Sequence, residues 1–312
     1  MAEAALFLGL DIGGTKIELA ACDDALNVFG RERIATPGAD FEAFIEGIAK
    51  LVQQSEAQIG RAATAIGLGM PGIVDAASGC QLSSNVPALN GQRVAPALSA
   101  RLGRPVHMGN DCQCFALSEA NGGAAEGLPS MFGAILGTGA GGGFCVNGRL
   151  ITGYNGLAGE WGHWPVSSAQ LQRYGLPLLE CPCGLRGCLE RYVSGRGLVA
   201  LHQHLTGYAV DDAEAVHALA AKGNALARDA LDIHLDLLAQ ALAGLVLAYD
   251  PHALVLGGGL SKLQRLYDEL PAAMARHLFR GVRVPPVLPP KFGDAGGARG
   301  AALLARQRTL SV

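Results

Sequence analysis

Aromatic side chains are scarce in this sequence. They make up 5% of 312 residues, with only two tryptophans, so Ala, Leu, Val and Gly must fill most of the interior. Charge of one sign is also lacking. The formal net charge is −3 and no Lys/Arg run exceeds two residues, which leaves no electrostatic footprint for a nucleic acid or an anionic membrane surface. Met1-Ala2-Glu3-Ala4-Ala5 leads straight into an apolar run without a basic n-region, so no signal peptide is expected. The apolar stretch 131–146 is interrupted by glycines and is too short to span a bilayer. These absences predict a soluble, cytoplasmic protein with no membrane partner and no nucleic-acid partner. Two familiar phosphate motifs are missing as well. Neither Gly-x4-Gly-Lys-Ser/Thr nor a Gly-x-Gly-x-x-Gly that opens a helix occurs.

Glycine, by contrast, is abundant. The 44 glycines are about twice the usual share of roughly 7%. They have no period and cluster beside strand-like runs, which points to backbone sites and not to a fibre. The length fits two domains better than one core, and a half-apolar composition lets each bury its own. Strands are expected at 5–11, 16–21, 28–34, 65–69, 105–108, 131–136, 144–147 and 253–256. Helices are expected at 41–54, 96–102, 112–120 and 225–249, the last stopping before Pro251 as a helix should. This alternation is α/β. Residues 7–15 and 134–143 each read as an apolar strand, a turn rich in Gly and Thr, and a second strand. That weak repeat suggests two related halves.

The first turn is Asp11-Ile12-Gly13-Gly14-Thr15-Lys16. Glycines bring N–H groups against an anion unobstructed, Thr15 adds a hydroxyl, and Asp11 offers a carboxylate to Mg²⁺ or to a bridging water. An ordinary hairpin would also want these glycines. The second turn, Gly137–Gly143, makes the phosphate reading stronger, since two turns can grip one polyphosphate. Gly257-Gly258-Gly259 after a further strand can give flat access to an adenine ring. Asp111, between a strand and a helix, is either the helix N-cap or a general base for phosphoryl transfer to an alcohol.

The most specific local signal is Cys181-Pro182-Cys183-Gly184-Leu185-Arg186-Gly187-Cys188. Three thiols on a tight knuckle match a Zn²⁺ site, with His163 the nearest candidate for the fourth ligand; buried free thiols or a redox pair at Cys181/Cys183 would also fit. A Cys3His set closes the coordination sphere and so would be structural, not hydrolytic. Cys22, Cys80, Cys112, Cys114 and Cys145 are scattered and are expected as small buried hydrophobes. Glu160 and Glu190 flank the metal candidates and can be aimed together at sugar hydroxyls. Asn85 sits before Val86-Pro87, either as a turn residue or as a further amide for a sugar. Trp161 and Trp164 flank His163, and either of them can shape a pocket wall.

These residues resemble the ROK family of sugar kinases over nearly the whole chain. Asp11–Lys16 is similar to the family's first phosphate motif and Gly137-Thr138-Gly139 to its second. Glu160-x-Gly162-His163, followed by Cys181-x-Cys183-Gly184-x-x-Gly187-Cys188-x-Glu190, is similar to its signature. The resemblance implies an actin/hexokinase-like (ribonuclease H-like) fold of two lobes with a cleft between them. The expected lobes are 1–111 plus 299–312 (small) and 112–298 (large, with the zinc loop). It implies a structural zinc on His163, Cys181, Cys183 and Cys188, and magnesium accompanying ATP. The nucleotide is expected on Gly9, Leu10, Asp11, Ile12, Gly13, Gly14, Thr15 and Lys16, on Gly137, Thr138, Gly139, Ala140, Gly141, Gly142, Gly143 and Phe144, and on Gly257 and Gly258. The sugar is expected on Asn85, Asn110, Asp111, Glu160, His163 and Glu190, with Asp111 as catalytic base. A homodimer is the assembly that family likeness suggests. Within the family, Asn85-Val86-Pro87-Ala88, the stretch 110–120, Ser194-Gly195-Arg196-Gly197 and the stretch 293–302 resemble the N-acetyl-D-glucosamine kinase subgroup. Glucose, fructose, mannose and N-acetylmannosamine are the alternative substrates. A sugar-sensing regulator is the non-enzyme alternative, disfavoured because no DNA-binding segment precedes the first strand. One departure stands out: where the family usually has Asn-Asp-Ala-Asn, this chain has Asn110-Asp111-Cys112-Gln113.

Overall fold

In a computed structural model, residues 5–38, 40–75, 77–82, 86–293 and 296–310 are described. Asn85, Asp294 and Ala295 lie outside them. Strands β1 (Phe7–Ile12), β2 (Lys16–Cys22) and β3 (Val28–Ala35) form an antiparallel meander. Helix α1 (Phe41–Ile59) follows, capped by the Asp40 side chain, which accepts from the Ala43 N–H, and closed by Gly60 at φ 81°. Next come β4 (Ala65–Met70), a small hairpin of β5 (Ile73–Val74) and β6 (Gln81–Leu82), α2 (Val94–Leu102), β7 (Val106–Asn110) and α3 (Asp111–Ala120). β4 lies parallel to β1 and β7 parallel to β4, giving the order β3-β2-β1-β4-β7.

The pattern then recurs. Strands β8 (Ser130–Leu136), β9 (Ala140–Val146) and β10 (Arg149–Ile151) precede helices α4 (Ser168–Tyr174), α5 (Glu190–Val193), α6 (Gly195–Thr206), α7 (Ala213–Ala221) and α8 (Ala225–Tyr249). They are followed by β11 (Leu254–Gly257), α9 (Gln264–Ala275), β12 (Val287–Leu288) and α10 (Gly296–Leu310). The second sheet has the order β10-β9-β8-β11-β12, with β11 parallel to β8 and β12. The two sheets thus share one plan, three consecutive strands and then two that return in parallel, as the weak internal repeat predicts. The fold is α/β. The chain divides into two compact units, Met1–Gly127 with Gly143–Ala158 and Lys291–Val312, and Leu128–Gly142 with Gly159–Pro290.

Within the first unit the strand period of two decides what covers each face. Leu8, Leu10 and Ile12 of β1 and Ile66, Leu68 and Met70 of β4 join one core with Phe44, Ile48 and Val52 of α1. The alternate positions are Gly9 and Gly67, and α10 lies directly on their backbone. A Cβ at Gly9 would stand 1.9 Å from Ala298 O, and one at Gly67 would stand 1.8 Å from Ala301 O. Asp11 shares that face, so the same alternation delivers its carboxylate to the start of α10.

In the second unit, α8 is long and apolar enough by composition to cross a membrane, but 72% of its most apolar stretch is buried inside the fold. It packs on α6, α7 and α9 and is a core helix. The segment 137–143 is a turn only as far as Gly139. Ala140 to Gly143 belong to β9, where glycine serves close packing and not turning: a Cβ at Gly142 would stand 2.4 Å from Gly133 O and 2.6 Å from the Phe132 ring.

Candidate active site

In the first unit, Asp11–Lys16 is the tip of the β1–β2 hairpin, with Asp11 opposite Glu18 and Ile12 opposite Ile17. Gly13 N–H donates to Lys16 O at 2.9 Å. Thr36 ties the turn down, donating its N–H to Thr15 O at 3.0 Å and its hydroxyl to Gly13 O at 2.7 Å. Gly14, Thr15 and Lys16 are left exposed at the tip. The hairpin and anion-turn readings are therefore not rivals, since the hairpin presents the exposed turn. The half-buried Asp11 meets the first turn of α10 so closely that a Cβ at Gly297 would lie 2.3 Å from its Oδ2. A helix N-terminus beside a carboxylate is electrostatically favourable.

Asn110 and Asp111 sit where β7 runs into α3. The N-cap is Asn110, whose Oδ1 accepts the N–H groups of Cys112 and Gln113 at 2.9 and 3.2 Å. Its Nδ2 donates to Gly72 O at 3.3 Å. Asp111 is the first helical residue, its Oδ1 also 2.9 Å from Cys112 N. The capping role that competes with catalysis for Asp111 therefore belongs to its neighbour. Burial pushes the Asp111 carboxyl above the ordinary aspartate range, against the opposing pull of the Cys112 N–H.

In the second unit, Gly137 N–H donates to Gly139 O at 3.0 Å, closing the second turn. Gly258, at φ 76°, approaches so near that a Cβ there would stand 2.6 Å from the Leu136 carbonyl. The knuckle assembles as the thiol spacing predicts. Ligand atoms of His163, Cys181, Cys183 and Cys188 all lie within 4.8 Å of one another. Cys183 Sγ and Cys188 Sγ are 3.6 Å apart, and Cys181 Sγ is 3.9 Å from His163 Nδ1. These spacings suit ligands about 2.0–2.3 Å from one tetrahedral ion, so the cluster can hold a metal. His163 Nε2 points the other way, 3.9 Å from Glu160 Oε2, as a carboxylate behind a metal-bound histidine does.

Glu190 opens α5 and joins the knuckle to the turn. Its Oε1 is 3.2 Å from Cys181 Sγ, and a Cβ at Gly139 would lie 2.8 Å from its Oε2. Gly195 N–H reinforces the link by donating to Gly137 O at 2.8 Å. Trp161 is 1% exposed and donates its indole N–H to Gly141 O at 2.7 Å, while the Trp164 ring approaches Gly244 of α8. Trp161 thus anchors β9, and Trp164, half-buried, packs on a helix. Among the scattered cysteines, Cys22, Cys114 and Cys145 are buried, but Cys80 and Cys112 are only half-buried. Burial raises the Cys22 thiol to about 11 and the Cys145 thiol to about 12, which makes both inert apolar fillers. Asn85 is outside the described residues. One side chain whose local bonds sequence reasoning leaves open, Gln113, makes defined contacts: its Nε2 donates to Gly156 O at 2.9 Å and Ala158 O at 3.0 Å.

Comparison with known proteins gives a consistent picture. The ROK family model matches residues 7–308. The chain is 47% identical over 299 residues to an N-acetylgalactosamine kinase, AgaK, of Shewanella sp. (strain ANA-3), covering 96% of each. It is 41% identical over 302 residues to an N-acetyl-D-glucosamine kinase of Haemophilus influenzae (strain 86-028NP), covering 96% of this chain and 99% of the relative. Among solved structures, a ROK family glucokinase from Streptomyces griseus in complex with glucose and AMPPNP superposes with a TM-score of 0.78 at 29% identity, covering 97% of this chain and all of that one.

Proposed function

The chain belongs to the ROK family, and from that premise we propose that it is an ATP-dependent sugar kinase that phosphorylates N-acetyl-D-glucosamine at the 6-hydroxyl to give N-acetyl-D-glucosamine 6-phosphate. The observation that carries the reading is the division of labour at the β7–α3 junction. Asn110 caps the helix and leaves Asp111 as a half-buried carboxylate of raised basicity. Such a group is suited to accept the proton of the 6-hydroxyl as its oxygen attacks the γ-phosphorus and ADP departs. In the first unit, Asp11 would hold magnesium through water, and the exposed turn Gly14–Lys16 would face phosphate. In the second, the turn at Gly137–Gly139 offers backbone N–H groups to phosphate, and Gly257 and Gly258 offer flat access to a base. Asn85, Asn110, Glu160, His163 and Glu190 are the proposed readers of sugar hydroxyls. The metal we assign to the knuckle is zinc, because three thiolates and an imidazole form a borderline-soft tetrahedral set. It would hold the loop in shape and leave no open position for chemistry.

A relative named for N-acetylgalactosamine favours a second substrate, one that differs from the first only in the orientation of its 4-hydroxyl. Initial rates of ADP release on N-acetylglucosamine, N-acetylgalactosamine, N-acetylmannosamine and glucose separate the readings. The expected order places N-acetylglucosamine first in kcat/KM and glucose at least tenfold lower, a gap of about 1.4 kcal/mol. If N-acetylgalactosamine leads, the assignment moves to the 4-epimer. If glucose matches the acetamido sugars, the acetamido group is not being read. If no sugar is turned over, the kinase reading fails.

A further inference from the structure

The first unit carries a half-open cavity of about 420 Å³ along β7, an outer strand of its sheet. Its volume falls within the roughly 300–1,000 Å³ of small-molecule sites. Met108, Asn110 and Gln113 are among its lining residues, and so is the loop 152–156. That loop carries little apolar ballast of its own. Tyr154 is 98% exposed, and Gly153 and Gly156 stand at φ 75° and 72° on either side of Tyr154 and Asn155. Such a segment needs fixed points, because every unrestrained backbone residue costs conformational entropy to order. One fixed point is its own, the Ala158 N–H donating to Thr152 O at 3.2 Å. The other two come from α3. Gln113, only 4% exposed, places its amide nitrogen against two carbonyls of the loop, at Gly156 and Ala158.

Among uncharged side chains the chemistry is specific to a primary amide. Two carbonyl oxygens meeting at one point require a group with two hydrogens to give, and Nε2 has two. A carboxylate of the same shape would set acceptor against acceptor. Asparagine has the two donors but is one methylene shorter, so from the same backbone position it cannot span to both carbonyls. The length of Gln113 therefore suits this loop conformation, and the residue stands two positions beyond Asp111.

Resting on the kinase reading above, we propose that Gln113 is a positioning residue: by holding Gly156 and Ala158 it fixes the loop wall of the β7 cavity and so sets the affinity for the acetamido sugar, without touching the nucleotide. Three variants of the full-length protein test it: Gln113→Leu, which keeps size and loses both donors, Gln113→Glu, which keeps shape, and Gln113→Asn, which keeps donors and loses length. The expected result is a sugar KM raised about tenfold in the Leu and Glu variants, from the loss of two hydrogen bonds. The Asn variant should be intermediate, and the KM for ATP should stay within about twofold throughout. An unchanged sugar KM in folded Leu and Glu variants overturns the proposal, as does an ATP KM that rises in step. Hydrogen exchange of the amides at 153–158 reads the loop without any turnover. Faster exchange in Gln113→Leu supports the positioning role, and equal exchange overturns it even if no sugar proves to be a substrate. Absence of wild-type turnover alone would instead count against the kinase reading.

Discussion

Replacing Asp111 by asparagine is expected to lower kcat by about a thousandfold while raising the melting temperature at about pH 7.5. Both effects have one cause. Burial raises the carboxyl's pKa, so the folded protein resists ionising it, and what makes the group a better base makes it a cost to the fold. The unfolded chain ionises the same side chain near 3.9. As the pH rises through that value the unfolded state is favoured, and above the folded pKa the penalty is complete. Asparagine keeps the shape and carries no charge, so the stability gap between variant and wild type should be widest at neutral pH and close as the pH falls to about 4. Asn110 still caps α3 in the variant, so the helix start is preserved, and isothermal titration should find ATP and sugar binding little changed. A variant that keeps turnover within tenfold of wild type would remove Asp111 from the chemistry. A variant that melts lower at neutral pH would mean the ionised carboxylate is paired and not penalised. The acid limb of the wild-type pH profile should correspondingly lie above the ordinary aspartate range.

Much of the fold is legible in the sequence, and the details that decide the site are not. β1, β2 and β4 appear within about two residues of where their apolar runs place them, and α8 spans 225–249 as expected. Periodicity works there because each element buries a continuous run. It fails for α10, an Ala- and Gly-rich helix buried from Gly296 to Ala305. No apolar stripe distinguishes its faces, and only the glycines it lies upon, Gly9 and Gly67, betray it. It also fails for α9, where Pro271 sits inside the helix. The run 137–143 looks like one long turn because composition cannot tell a glycine that bends the chain from one that admits a neighbour. The metal cluster is readable since three ligands fall within eight residues and short spacing survives any fold. Which of Asn110 and Asp111 caps α3, and where Gln113 reaches, depend on single rotamers and on a loop some forty residues downstream.

Removing the metal is expected to have the second large effect, and to have it at a distance. Purified protein should contain about one zinc per chain. The knuckle's other restraints are mostly backbone hydrogen bonds, among them Cys181 N–H to Leu185 O, Gly187 N–H to Leu179 O and Val166 N–H to Gly187 O, with isolated bridges joining Pro165 to Cys188 and Glu180 to Arg186. With Cys183 and Leu185 exposed at its tip, the loop has its ion as the cross-link that ties the tip to the buried ligands, and structural zinc contributes to folding outright. Cys188→Ser, at a buried ligand, should therefore lose zinc and lower the melting temperature by about 5 °C or more. The consequence for function follows from Glu190. It lies between Cys181 and Gly139, and Gly195 holds Gly137 from the same short stretch. Loosening the knuckle should then release the glycine turn as well as the proposed sugar readers, so the KM for ATP should rise along with that for the sugar. Gln113→Leu is expected to leave the KM for ATP alone, which makes the pair of variants a contrast within one assay. Exposed Cys183 provides the graded case: Cys183→Ser should retain partial zinc occupancy at high metal concentration, with activity and melting temperature recovering together. Metal analysis finding no zinc in active wild-type protein, or a chelator-treated sample that keeps both its melting temperature and its turnover, would leave the four ligands as packed thiols and a histidine and would take the organising role away from the knuckle.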